Sequence, residues 1–274
     1  MNLLFSINQK FVPLWEQCMA TILRHGGAAH YDVYVLHSDL TGEDGARMRA
    51  ALRPEDCCTL IPVPDGLFEG FPETNRYPVQ IYYRLAAPLL LPAALDRILY
   101  LDVDTVVLNS LEPLYTSDFA GAAFMACSHT DRFLNKFNQA RLGLEDGVRY
   151  LNSGVLMMNL DLLRRTLRLE DIRDYAEQYK KRLILPDQDI LTGLFGDKSL
   201  VLDSRIYNMT DRLYIQCQCS VHPSEWLDLD WVRQNTVVVH YLGKPKPWQK
   251  NYIGPLGVFY QEELAQTQAG TEEA

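Results

Sequence analysis

Asp102 and Asp104 stand two residues apart inside the apolar run from Ile98 to Leu108. On an extended backbone, side chains at i and i+2 leave the same face, so the two carboxylates are expected side by side. Paired carboxylates repel and are costly to desolvate unless something cationic lies between them. A divalent ion answers that need, and a magnesium-like ion usually combines one or two carboxylates with substrate phosphates. The pair therefore points to an enzyme that handles a phosphorylated donor. Two aspartates at a strand end also cap turns, and Asp-X-Asp is short, so the motif does not stand alone.

Three further segments carry chemistry. Asn152-Ser153-Gly154 precedes an apolar strand, and Asp187-Gln188-Asp189 follows Pro186 at a helix start. His240-Tyr241-Leu242-Gly243-Lys244-Pro245-Lys246-Pro247-Trp248 follows the run Val237-Val238-Val239. Singly, Asn152 suits a turn, Asp187 a helix cap, and His240 a strand end. Together they offer metal ligands, a cation for phosphate and a carboxylate–amide cluster, which a substrate site requires. Cys217-Gln218-Cys219 with His222 does not suit zinc, because one intervening residue is too few and no fourth ligand is near.

These residues need a scaffold, and the first hundred residues describe one. Residues 2–7 read as a buried strand. Trp15, Cys18, Met19, Ile22 and Leu23 recur at helical spacing. Strands are expected at 31–36 and 57–63, helices at 42–52 and 79–91, and a loop at 66–78. A further strand delivers Asp102 and Asp104. Such alternation predicts an α/β fold, with a mainly parallel central sheet flanked by helices. Beyond it, strands are expected at 121–127 and 153–160, and helices at 170–182 and 187–195. Residues 261–274 are polar and acidic and are expected to be disordered.

The 274 residues, 47% hydrophobic and 22% charged, suffice for one large domain. A net charge of −9 argues against a nucleic-acid partner. No stretch approaches the roughly 20 apolar residues of a membrane span, and residues 1–7 read as a strand rather than a leader. Six scattered cysteines suggest no disulfide framework and fit a reducing cytoplasm.

From about residue 2 to residue 250 the chain resembles family 8 glycosyltransferases, the group of lipopolysaccharide galactosyl- and glucosyltransferases and glycogenin. The resemblance rests on the first strand, Tyr83-Arg84-Leu85, Tyr100 through Asp104, Leu151 through Val155, Pro186 through Asp189, and His240 through Trp248, in that order. It implies a single GT-A-type nucleotide-sugar-binding domain over 1–250. Residues 1–104 would bind the nucleotide and 105–250 the sugar and acceptor, leaving 251–274 as an acidic tail. It also implies a metal-dependent, retaining hexosyltransferase that moves galactose or glucose from a UDP-sugar to a glycan or lipopolysaccharide-core hydroxyl.

By the same resemblance, Asp102, Asp104 and His240 would hold Mn²⁺, with Mg²⁺ also suited to oxygen ligands. Lys246 would meet the diphosphate, and Gly243 would let the loop approach it. Ser6, Ile7, Asn8, Phe11 and Val103 would line the nucleoside site, Phe11 stacking on uracil. Asn8 stands where relatives often carry aspartate, and Lys10 replaces a frequent asparagine. Arg84, Asn152, Asp187 and Gln188 would grip the donor sugar. Retention through a covalent intermediate needs a carboxylate at the anomeric carbon. The family position there is an amide, Gln188, which favours front-face displacement and leaves Asp187 and Asp189 as alternatives. The tail carries Glu262, Glu263, Glu272 and Glu273 and no basic cluster, which disfavours docking on anionic lipid. A non-catalytic sugar-nucleotide- or glycan-binding protein on the same fold is the rival reading. A nucleotidyltransferase would want a glycine-rich phosphate loop, and Ser6 to Pro13 contains no glycine.

Overall fold

A computed structural model describes residues 1–73, 78–222 and 226–272, with side chains of the last helix described to residue 269. The expected loop at 66–78 falls partly on 74–77, outside the described residues.

Nine strands are present among the described residues: β1 (Asn2–Ser6), β2 (Asp32–His37), β3 (Cys57–Pro62), β4 (Arg97–Leu101), β5 (Thr105–Val107), β6 (Phe124–Cys127), β7 (Val155–Asn159), β8 (Ser199–Leu202) and β9 (Val238–His240). Seven form one sheet in the order β3-β2-β1-β4-β7-β6-β8, while β5 and β9 form a second, two-stranded sheet. In the large sheet β7 runs antiparallel to both neighbours and the other pairings are parallel, so the expectation of a mainly parallel sheet holds.

β1 lies inside the sheet with helices over both faces, so it reads as a continuous apolar run. Leu3, Leu4 and Phe5 are wholly buried, each contributing about 1.5–3 kcal/mol. Leu3 and Phe5 join the core under helix Val12–His25, where Trp15, Cys18, Met19 and Ile22 form the buried stripe. Leu4 joins Tyr100, Leu156 and Ile190 in the core on the other face. A third cluster packs Val106 and Val239 against Tyr241, Phe259 and Tyr260.

Three expectations are revised. The run 98–108 is not one strand, because Asp102, Val103 and Asp104 break it into β4 and β5, which belong to different sheets. The acidic tail is not disordered over 261–272, since helix Gly257–Glu272 includes it. Phe259 and Tyr260 anchor that helix in the third core, and buried Glu263 accepts hydrogen bonds from Arg24 and, at 2.9 Å, His25. The acids that suggested a solvated tail include the one that docks it. The expected helix at 79–91 is a 3-10 turn, Val79–Tyr82, followed by helix Tyr83–Leu90. No helix among the described residues is long and apolar enough to cross a membrane.

Candidate active site

The break between β4 and β5 is held by backbone. Asp102 N–H donates to Gly154 O at 2.8 Å, and Tyr241 N–H donates to Asp104 O at 3.0 Å. Thr105 Oγ1 closes the turn on Asp102 O at 2.8 Å. Antiparallel pairing of β5 with β9 sets Thr105 opposite His240. The imidazole is thereby delivered to the aspartates from a distant part of the chain. Parallel pairing matches Leu4 of β1 with Tyr100 of β4. Continuing that register, Ser6 stands level with Asp102, so the expected nucleoside residues begin at the same sheet edge.

His240 Nε2 lies 3.2 Å from Asp104 Oδ1 and 3.7 Å from Asp102 Oδ2. The carboxylates converge because a turn joins them and β9 faces them, not through the strand alternation expected from their spacing. His240 is almost fully buried, and its Nε2 has no hydrogen-bond partner. An unpaired buried imidazole nitrogen facing two carboxylates is the donor set that suits Mn²⁺ or Mg²⁺. Gly154 is required beside it: a Cβ there would lie 2.1 Å from His240 Cε1 and 2.8 Å from Asp102 Oδ2.

Burial opposes ionisation of Asp104, but the Lys246 ammonium and, whenever a proton rather than a metal ion sits on Nε2, the His240 ring outweigh it and hold this carboxyl well below its usual range. Lys246 Nζ donates to Asp104 Oδ2 and, at 2.6 Å, to Tyr241 O. Asp102 accepts from Tyr100 OH at 2.6 Å. Arg84 is buried between the two halves of the site, 3.0 Å from Asp102 Oδ1 and 3.5 Å from Asp187 Oδ2. Burial disfavours its charge, yet Asp102, Tyr100 and Asp187 keep it protonated. Its guanidinium also donates to Ser153 O at 2.8 Å and lies 4.5 Å above the Tyr100 ring.

The Asp187-Gln188-Asp189 triplet splits into three environments at the start of helix Pro186–Phe195. Asp187 accepts from Ser153 Oγ at 2.7 Å, and burial raises its pKa against the opposing pull of Arg84. Gln188 is half-buried and accepts from Asn152 Nδ2 at 2.8 Å. Asp189 is wholly buried. Arg141 grips it through two 2.7 Å bonds, and Tyr150 OH and the Ile184 and Leu185 amides also donate to it. It faces the scaffold rather than the cluster around His240.

At the nucleoside end, Ser6 Oγ donates to Gln80 O at 2.6 Å, and Ile7 is buried. Asn8 Oδ1 caps the following turn by accepting from Lys10 N at 3.1 Å. Phe11 is 41% exposed, so its ring is not committed to the core. Gly243 has φ of +78°, a conformation glycine adopts freely. Val103 packs on the core beneath helix Val12–His25. Several participants were missed from sequence. Tyr100 could have been found, since it lies on β4 only two residues before Asp102. Asn208, Arg141 and Tyr150 carry no spacing signal.

The family model for glycosyl transferase family 8 matches residues 2–252. A lipopolysaccharide 1,2-glucosyltransferase of Escherichia coli is 32% identical over 183 residues, spanning 66% of this chain and 52% of that protein. A lipopolysaccharide 1,3-galactosyltransferase of Salmonella typhimurium is 24% identical over 270 residues, covering 94% of this chain and 76% of its own. Among solved structures, the galactosyltransferase LgtC in complex with donor and acceptor sugar analogues superposes with a TM-score of 0.82 at 28% identity. The match covers 97% of this chain and 96% of LgtC, so the expected GT-A-type α/β fold is the one present. With the family's motifs gathered at one sheet edge and its model matched along almost the whole chain, this protein belongs to glycosyltransferase family 8.

Proposed function

We propose that the enzyme transfers galactose or glucose from a UDP-sugar to a glycan or lipopolysaccharide-core hydroxyl, with retention of configuration and dependence on Mn²⁺ or Mg²⁺. One observation carries the metal requirement: a buried His240 Nε2 without a hydrogen-bond partner, facing Asp104 and Asp102. Asp102, Asp104 and His240 would hold the ion, which supplies Lewis acidity against the charge building on the departing diphosphate. Lys246 adds a point charge on the same side. Ser6, Ile7, Asn8 and the exposed Phe11 ring receive the nucleoside, and Gly243 lets its loop approach the phosphates.

The carboxylates flanking Gln188 support front-face displacement. Asp189 accepts five hydrogen bonds, which leaves it poorly suited to attack carbon. Asp187 is tied to Arg84 and Ser153. Gln188, the half-buried member, orients the sugar. The six free thiols fit an enzyme working in a reducing cytoplasm.

A donor panel of UDP-sugars with Mn²⁺, reading release of UDP, tests this reading. Asp104→Asn is expected to abolish metal-dependent release while leaving the circular dichroism spectrum unchanged. Undiminished release by that variant would remove the metal assignment.

A further inference from the structure

His240 has a second ring nitrogen, and the groups behind it determine what the first can do. Nδ1 lies 3.0 Å from Oδ1 of Asn208, a wholly buried residue that follows helix Ser204–Tyr207. Asn208 Nδ2 donates to Asn152 Oδ1 at 2.8 Å, and that oxygen also accepts from Gly154 N at 3.0 Å. The polarity of this chain follows from its one unambiguous member. A backbone N–H only donates, so the Asn152 atom facing Gly154 is oxygen. The Asn208 atom facing the same oxygen is therefore its NH₂ group. Its carbonyl is left facing His240 Nδ1, which must carry the hydrogen. A neutral imidazole with hydrogen on Nδ1 has its lone pair on Nε2.

The backbone fixes this contact as well. Met209 N–H donates to Val238 O at 2.9 Å, and His240 N–H donates to Met209 O at 2.7 Å, so the segment carrying Asn208 is stitched to β9. His129 Nε2 holds Asn208 O at 2.8 Å. At its other end the relay reaches the sugar-side amide, with Asn152 Nδ2 on Gln188 Oε1 at 2.8 Å.

We propose that Asn208, with Asn152 behind it, is a positioning residue that fixes His240 as the Nδ1–H tautomer and aims its Nε2 lone pair at the divalent-ion site. This deepens the metal reading above and rests on it. It also reassigns Asn152, whose amide is occupied at both ends, from gripping the donor sugar to supporting the histidine.

The test uses the full-length protein and Mn²⁺ alone, with free ion counted by electron paramagnetic resonance. Asn208→Ala is expected to weaken Mn²⁺ binding by about 10–100-fold, the usual cost of losing a ligand's outer partner. Asn208→Asp keeps an acceptor toward Nδ1 but sets a carboxylate oxygen against Asn152 Oδ1, so it is expected to restore only part of that affinity. In a His240→Ala background, adding Asn208→Ala is expected to change nothing further. Wild-type affinity in Asn208→Ala, or an equal loss without His240, would overturn the proposal. A measurement on the unaltered protein needs no variant to fold. In Cd²⁺-loaded, ¹⁵N-labelled enzyme, cadmium coupling is expected at Nε2 with the proton on Nδ1, and coupling at Nδ1 refutes it. A wild-type protein that binds no Mn²⁺ would instead fail the metal reading itself, and this proposal with it.

Discussion

Asp189 gives the sharpest separation between scaffold and chemistry. It is wholly buried, and its partner Arg141 is nearly so. Oδ2 accepts from Arg141 Nη1 and from the Ile184 and Leu185 amides; Oδ1 accepts from Arg141 Nη2 and Tyr150 OH. Asp189→Asn must turn an NH₂ group toward one of these sets. On the Oδ2 side it would meet three donors. On the Oδ1 side only Tyr150 could rotate to accept, and one donor–donor conflict with Arg141 would persist. Either way the guanidinium loses its counter-charge in a buried place, a change that costs about 3–5 kcal/mol. That is a large fraction of a typical domain's roughly 5–15 kcal/mol. Urea denaturation at 25 °C should therefore show a strongly lowered midpoint with an unchanged slope. UDP release, measured at lower temperature where the variant is folded, should persist once corrected for the folded fraction. An Asp189→Asn protein as stable as the parent would refute the packing argument. A stable, folded variant with turnover reduced by about 10³-fold or more, the scale of losing a catalytic group, would restore Asp189 as a nucleophile.

Other consequences can be measured on the same material. Gly154→Ala must open a 2.1 Å approach to at least 3.4 Å, so the His240 ring moves by 1.3 Å (3.4 − 2.1) or the strand shifts. Stability should fall by about 1–3 kcal/mol, and Mn²⁺ binding by calorimetry should be lost; retained binding would contradict His240 as a ligand. His129 titrates near about 4 instead of 6.5, because burial penalises its charged form. As pH falls the unfolded chain takes up this proton first, so the stability it contributes is complete above 6.5 and declines toward 4. The full shift would be worth about 3 kcal/mol, reduced to roughly 1–2 kcal/mol by the ring's partial exposure. A His129→Gln variant should show a shallower loss of melting temperature over that window, and an identical slope would refute the assignment.

The parts of this fold legible in the sequence are those that sit on one periodicity. β1, β2 and β4 read as apolar runs because most of their residues are buried, and Trp15 to Ile22 read as a stripe. The last helix was misread because its anchor is short: Phe259 and Tyr260 occupy the third core with Val258 and Leu264 against it, while most of the remainder is polar. Composition reports Glu263 as solvated acid, and only tertiary contact shows it meeting Arg24 and His25. The pairing of β5 with β9 was equally hidden, since three-residue strands carry almost no pattern.

The candidate site divides the same way. Residues whose chemistry is unusual for their surroundings announced themselves: two aspartates in an apolar run, and a histidine and lysine after three valines. Residues whose work is to hold those groups did not, because an asparagine at 208 or an arginine at 141 is unremarkable until its partner is known. Asp187 and Asp189 show why spacing alone cannot assign roles. They are two residues apart on one helical turn, yet one faces Arg84 and Ser153 beside the carboxylate–imidazole cluster and the other is enclosed by Arg141 and Tyr150. The helix rotates adjacent positions by about 100°, so two aspartates separated by one glutamine point about 160° apart. On a strand they would have shared a face. The opposite holds for Asp102 and Asp104, where a turn, not a strand, brings the carboxylates together. In both motifs the local backbone decides whether neighbouring acids act as a pair.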